Sequence, residues 1–414
     1  MTCSASSSSR GFGGVLAVAL ALAAGGCASG RGAVWPGHPD ESEPLRLALL
    51  PPENLTGGPA PLRDLERVAE RALARIGVEV ASGELVDEFL ARHRIRNTGG
   101  LDREAARAAR EELGVSGVMI TSVVLYNELT PPRIGVTMRL VSAAEEPEIL
   151  WIDAFGRAGD DRPGLLGLGR VGSVGPLEEE TFDVLARSLG AFLRDARRNA
   201  PGCKTSQTFA PKVDFRSPAL ARKETLSVAI LPFVNESGRR GAGQVLALEM
   251  ARQLVAVERV RVVEPGMLRE ELLTYRISDE GGATPATARL LSKVLDADLV
   301  VGGVVRDYVD SGTPVMDFSV LAIDPGTEEI VWESTSYNGG DDAMGLFGTG
   351  KVSTAGALAC RMARALVARM MPRNGRSRPG GRTGSACAQR RRSAVARTQD
   401  LRRARPGRSG KTPV

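Results

Sequence analysis

The hydrophobic positions of this chain fall into three regimes. Residues 11–26 form one continuous apolar run, residues 45–372 alternate short apolar segments with stretches of helical spacing, and the remainder has no periodicity. The middle regime carries the fold. Leu45–Leu50 and Val228–Leu231 read as buried strands that stop at proline and an Asx-type turn. Each is followed by an amphipathic helix, marked by Leu62, Leu65, Val68, Leu73 and Ile76 in one case and by Leu246, Met250 and Leu254 in the other. Short strands at 78–80 and 260–263 lead into helices over 84–93 and 267–275. Further helices over 103–113 and 285–295 feed Val-rich strands at 118–124 and 299–305. Two alternating segments then pair as a hairpin, 136–141 with 148–155 and 315–323 with 329–334. A last helix, 178–194 or 355–371, closes each series.

The two series are one unit written twice. Leu45-Arg-Leu-Ala-Leu-Leu-Pro51 aligns with Leu226-Ser-Val-Ala-Ile-Leu-Pro232 at an offset of 181, and Asn54 and Gly57 fall on Asn235 and Gly238. Gly83 to Leu90 aligns with Gly266 to Leu273 at 183, Tyr126 with Tyr308 at 182, and Trp151 with Trp332 at 181. The run from Gly159 to Val171 matches the run from Gly340 to Val352. A period this long excludes a solenoid and implies a duplicated domain. The expected fold class is α/β with α+β character: two tandem similar domains, 45–197 and 225–372, each a mixed β-sheet covered by about three to four helices. Residues 198–224, rich in Pro, Ser, Lys and Arg, read as a linker.

The ends say where such a body resides. The apolar run is short for a membrane span, follows Arg10, and ends in Leu22-Ala-Ala-Gly-Gly-Cys27, so 1–26 reads as a signal peptide and Cys27 as a lipid acceptor. Several acyl chains there (palmitate among them) anchor stably, at about 0.8 kcal/mol per buried CH₂. Ala28 in place of Asp fits outer-membrane sorting, and 27–44 reads as a flexible tether. Charge is concentrated at the other end. Residues 373–414 hold twelve Arg, one Lys and one acid, Asp400, against a whole-chain net of +5. The body is therefore acidic and offers no basic groove for nucleic acid. The tail itself reads as disordered, with anionic lipid headgroups as one possible contact.

The segment Ala229-Ile-Leu-Pro-Phe-Val-Asn-Glu-Ser-Gly238, the run Leu-Asp-Ala-Asp-Leu-Val-Val-Gly-Gly-Val over 295–304, and Thr-Glu-Glu-Ile-Val-Trp over 327–332 together resemble the TolB N-terminal-like fold. That group includes the CsgG-like and LpoB-like envelope lipoproteins. Copy two is the closer match. Copy one has Pro52 where copy two has Phe233, and Gly114-Val-Ser-Gly117 where copy two has an Asp-containing turn. The resemblance implies a non-catalytic envelope protein that binds other proteins or assembles into rings.

Candidate chemistry is sparse. Gly345-Leu-Phe-Gly-Thr-Gly350-Lys351 has the G-x-x-x-x-G-K spacing that cradles phosphates, and Gly167-Leu-Gly169-Arg-Val-Gly172 spells G-x-G-x-x-G. Val352, however, occupies the position where such a loop places Ser or Thr for Mg²⁺. The same loops carry apolar tips, Leu165, Leu166 and Leu168 in copy one and Met344, Leu346 and Phe347 in copy two. These either fold back over the domain edge or dock a partner or a membrane surface. Asp160, Asp161, Asp341 and Asp342 are weak metal candidates and better turn residues. Asn54 and Asn235 end the first strands, where α/β sheets often hold ligands, but hydrogen bonding the turn backbone is the reading that suits them better. The two histidines, His38 and His93, give zinc or acid–base chemistry little to work with. Cys360, in an Ala/Leu-rich helix, reads as a core residue. Cys203 is open to a disulfide, with no partner that the sequence names.

The expected function is that of a non-catalytic outer-membrane lipoprotein facing the periplasm, with no cofactor and no nucleic acid. It would engage the membrane through its lipid, and envelope proteins or further copies of itself through its body. The alternatives are a subunit of a CsgG-like oligomeric pore and a nucleotide-binding enzyme using Gly345–Lys351.

Overall fold

The computed structural model describes residues 45–161, 169–195, 202–204, 206–221, 225–278, 281–346 and 349–371. The signal peptide, Cys27, the tether and the Arg-rich tail lie outside the described residues. Within them, the fold is a mixed α+β architecture of two sheets and eight helices.

Copy one begins with β1 (Arg46–Leu49), whose side chains are buried on both faces, as a central parallel strand requires. Pro51 and Pro52 end it. After the two-residue β2 (Glu53–Asn54) come α1 (Leu62–Arg75), β3 (Glu79–Ala81), α2 (Glu84–Arg92) and α3 (Arg103–Leu113). Asp102 caps α3 by accepting from the Ala105 N–H (2.8 Å), and Gly114 in the left-handed region ends it. Then β4 (Gly117–Asn127), β5 (Arg133–Ser142) and β6 (Ile149–Ala158) run as an antiparallel meander, and α4 (Gly175–Arg194) returns over it. The sheet order is β3-β1-β4-β5-β6, with β1 parallel to both neighbours and β2 beside β4. One face packs on α1 and α4 through Leu49, Leu65, Val136, Trp151 and Leu185. The other packs on α2 and α3 through Leu50, Phe89, Ala109 and Ile120.

Copy two repeats the plan. Its β8 (Leu226–Ile230), β9 (Val234–Asn235), α5 (Ala242–Val255), β10 (Val260–Val262), α6 (Pro265–Thr274), α7 (Pro285–Leu295), β11 (Leu299–Val309), β12 (Val315–Asp324), β13 (Glu329–Gly339) and α8 (Ala355–Met370) give the order β10-β8-β11-β12-β13. Even the irregularities are duplicated. Register shifts fall at Val123/Leu125 and Leu140/Val141 in copy one, and at Val305/Asp307 and Ala322/Ile323 in copy two. A bulge fixes twist and register, so its inheritance shows that the meander geometry was copied along with the hydrophobic pattern. Trp151 and Trp332 are both fully buried.

One segment departs from the sequence reading. Part of the stretch read as a linker forms β7 (Lys212–Arg216), which joins copy two's sheet on the far side of β13. It is held at one end by a disulfide between Cys203 and Cys360, 157 residues apart in sequence, and by the fully buried Phe209. Five residues carry too weak a pattern to read as a strand, and spacing alone could not pair the cysteines. Because the bond closes a long loop and straps this segment to α8, reduction or Cys203→Ser is expected to cost about 2–5 kcal/mol. A denaturant midpoint unchanged by either would contradict this.

Candidate functional site

The asparagines that end the first strands build the same turn twice. The Asn54 side chain accepts from the Thr56 N–H (3.0 Å) and hydroxyl (2.8 Å) and donates to the Gly58 carbonyl (2.8 Å). Asn235 accepts from the Ser237 N–H (3.2 Å) and hydroxyl (2.6 Å) and donates to the Arg239 carbonyl (2.9 Å). Both carboxamides are thus spent on closing the chain, the Asx-turn role.

The second aspartate of each Gly-Asp-Asp loop does similar work. Asp161 accepts from the Ala158 N–H (2.9 Å), and Asp342 from the Gly339 N–H (2.8 Å) and the Asn338 amide (3.0 Å). Asp341 lies 3.9 Å from the Lys351 ammonium, and Asp160 is exposed. Among the described residues no group of three or more His, Cys, Asp or Glu gathers as a metal site. In the Gly345–Lys351 stretch the Gly345 N–H donates to the Thr349 carbonyl (2.7 Å), and Val352 is buried. That amide and the Lys351 charge are therefore engaged within the loop. Met344 is 52% exposed and Leu346 78%. Leu165, Leu166, Leu168 and Phe347 lie outside the described residues.

The densest buried chemistry lies where no motif pointed, at the seam between the copies. Gly100 and Gly266 meet backbone to backbone: a Cβ on Gly100 would stand 2.6 Å from the Gly266 Cα, and one on Gly266 would strike Leu101. This contact lets Glu264 cap α6 through the Gly266 N–H while reaching copy one, where it accepts from the Leu101 N–H (3.1 Å) and pairs with Arg139 (3.4 Å). Arg139 also donates to the Gly99 carbonyl. Burial pushes the Glu264 carboxyl above its ordinary range, against the pull of Arg139 and of the Leu101, Gly266 and Met267 N–H groups.

A second buried junction joins α5 to β6. Arg252 donates to Asp153 (2.8 Å) and to the Ala154 carbonyl (3.3 Å), and Glu249 pairs with it from the same helix (3.0 Å). At the sheet ends, Glu148 beside β6 forms an antiparallel bridge with Val263 beside β10. Between the copies lies a cavity of about 180 Å³ lined largely by apolar side chains, among them Leu55, Ile230, Leu248 and Leu268. Its one lining carboxylate, Glu53, accepts from the Ser122 hydroxyl (2.9 Å).

These seam residues were legible only as anomalies. Arg139 sits inside a mostly apolar strand, and Arg252 and Glu249 are the charged residues of a helix whose other polar side chains are Gln244 and Gln253. A charge at an inward position signals a buried partner, yet the sequence does not say which.

No protein-family model and no curated protein matches the chain. Among solved structures it is similar to the PelC dodecamer from Paraburkholderia phytofirmans, with 20% identity over 39% of this chain and 99% of that one, at a TM-score of 0.28. Lipoprotein GNA1162 from Neisseria meningitidis matches at 19% identity, 35% and 99% coverage and a TM-score of 0.27. The LpoB C-terminal domain from Salmonella enterica matches at 18% identity, 28% and 87% coverage and a TM-score of 0.24. Likeness at this level carries no argument about activity or partners, so the function rests on the chain's own residues.

Two outcomes follow from the site's electrostatics. Arg139→Leu leaves Glu264 buried without its counter-charge and is expected to cost about 3 kcal/mol. Adding Glu264→Gln, which keeps an acceptor for both N–H groups, should recover most of that loss in denaturant melts. A double variant no better than the single one would show that the pair does not act as a unit. Glu178, which accepts from the Tyr126 hydroxyl (2.9 Å), is raised chiefly by burial. The folded state then holds this proton more tightly than the unfolded chain. Its contribution is complete below about pH 4.3, the ordinary glutamate value, and is lost as pH rises through the raised one. Glu178→Gln should flatten that decline, and identical pH–stability slopes in the two proteins would refute the assignment.

Proposed function

We propose that this chain is a non-catalytic lipoprotein of the bacterial outer membrane, anchored through Cys27 and facing the periplasm, that presents a fixed two-copy body to envelope proteins. The observation that carries this reading is the tip of copy two's Gly-rich loop. Met344 and Leu346 project apolar surface into solvent beside aspartates already engaged within the loop region. Exposed apolar side chains on a tethered loop are the usual mark of a docking element. The Arg139–Glu264 and Arg252–Glu249–Asp153 groups support the non-catalytic part, because each is buried and occupied in joining the copies. The lipid acceptor and signal peptide read from the sequence supply the location. The Cys203–Cys360 disulfide is in keeping with an oxidising compartment.

The test places a photo-crosslinking residue at position 346 of the full chain in growing cells. Discrete adducts with envelope proteins are expected, and Cys27→Ala should release the chain from the membrane fraction and deplete them. A membrane-bound Cys27→Ala chain would defeat the anchor. No adduct from position 346, alongside efficient crosslinking within the chain, would defeat the docking loop.

A further inference from the structure

The two copies are arranged head to tail. Copy one offers the outer edge of β6, and copy two meets it with α5 and the β10 side of its sheet. Such an interface joins unlike faces, so every added copy exposes the same outgoing edge again, and growth ends in a ring or a filament unless something stops it. In copy two that outgoing edge is β13, and it is covered. Counting by the repeat, Asp153 and Ala154, the residues Arg252 grips on β6, correspond to Ser334 and Thr335 on β13. β7 pairs there: Ser334 with Val213, Thr335 with Lys212, Trp332 with Arg216. Thr335 also donates to Asp214 (3.0 Å), and the Ser217 N–H donates to the Val331 carbonyl (2.8 Å). The place that copy two takes against copy one is taken, against copy two, by the chain's own connecting segment.

The opposite face has changed to match. α5 is buried almost all round, whereas its counterpart α1 carries Arg63, Asp64, Arg67, Arg71 and Arg75 on an exposed, ion-paired surface. The buried seam pairs have no counterparts either. The 181-residue repeat sets Arg252 against the exposed Arg71 but Glu249 against Val68 and Asp153 against Ser334, and the neighbouring offsets set Glu264 against Ala81 and Arg139 against Leu321. A second chain docking head to tail would find neither buried pair.

We propose that β7 is a built-in cover for the β13 edge, which closes the tandem at two copies and keeps that edge from pairing with a second copy of this chain. The edge beneath it is an unpaired strand, and when bared it fits the same edge of a second copy of this chain, antiparallel about a two-fold axis. This holds whether or not the chain is lipid-anchored.

The test compares the full chain in detergent with Val213→Pro/Asp214→Pro, adjacent prolines that break the pairing whichever residue faces β13. The unaltered chain is expected to be monomeric by light scattering. The variant, with native circular dichroism, should double in mass with concentration and return to monomer when a peptide of residues 206–217 is added. A multisubunit unaltered chain, a folded variant that stays monomeric, or a variant that forms rings or filaments overturns the proposal. If the variant does not fold, amide exchange on the unaltered monomer decides. Protection at Trp332–Thr335 matching that of β12 supports the cover, and rapid exchange there overturns it.

Discussion

Glu264 holds this molecule's two halves in register. Its carboxylate caps α6 within copy two and binds the Leu101 N–H and Arg139 of copy one, and it does so only because Gly100 and Gly266 let the two backbones touch. A buried charge is costly unless its partners are fixed, so this one ties the helix start in one copy to a strand and a loop in the other. Arg252, Glu249 and Asp153 repeat the logic nearer β6. Two similar folds become one specific arrangement through a few charges that bridge the copies.

That asymmetry gives the duplication its meaning. A faithful second copy would possess the same seam faces as the first and would invite a third. Here the faces have parted: Arg139 and Asp153 face copy two from one side, and Glu264 and the Arg252–Glu249 pair face copy one from the other, whereas the corresponding Leu321, Ser334, Ala81 and Val68 carry no charge and Arg71, set against Arg252, pairs with Glu179 on the surface instead. The core, by contrast, has hardly moved. Both tryptophans, both bulge pairs and both asparagine turns persist, because each is fixed by contacts inside its own copy.

The polar motifs that stood out in the sequence proved to be local carpentry. Asn54, Asn235, Asp161 and Asp342 hydrogen-bond the backbone beside them, and Lys351 lies near Asp341. Met344 and Leu346 alone among the described candidates remain facing solvent as an apolar pair, which directs attention to binding rather than chemistry.

The chain's periodicity sufficed for the elements. Helices at 103–113 and 285–295 and the paired hairpins are local consequences of apolar spacing, caps and turns, and the 181-residue offset revealed the duplication without any contact being known. What tertiary structure alone decided is everything that depends on which surfaces meet: the Cys203–Cys360 bond, the Glu264–Arg139 seam, and the recruitment of Lys212–Arg216 as an edge strand. A five-residue strand gains its hydrogen bonds from a neighbour more than a hundred residues away in sequence, and a buried charge gains its meaning from its counter-charge. Neither leaves a period in the chain, so the sequence determined the two units and the folded structure determined how they are joined and closed.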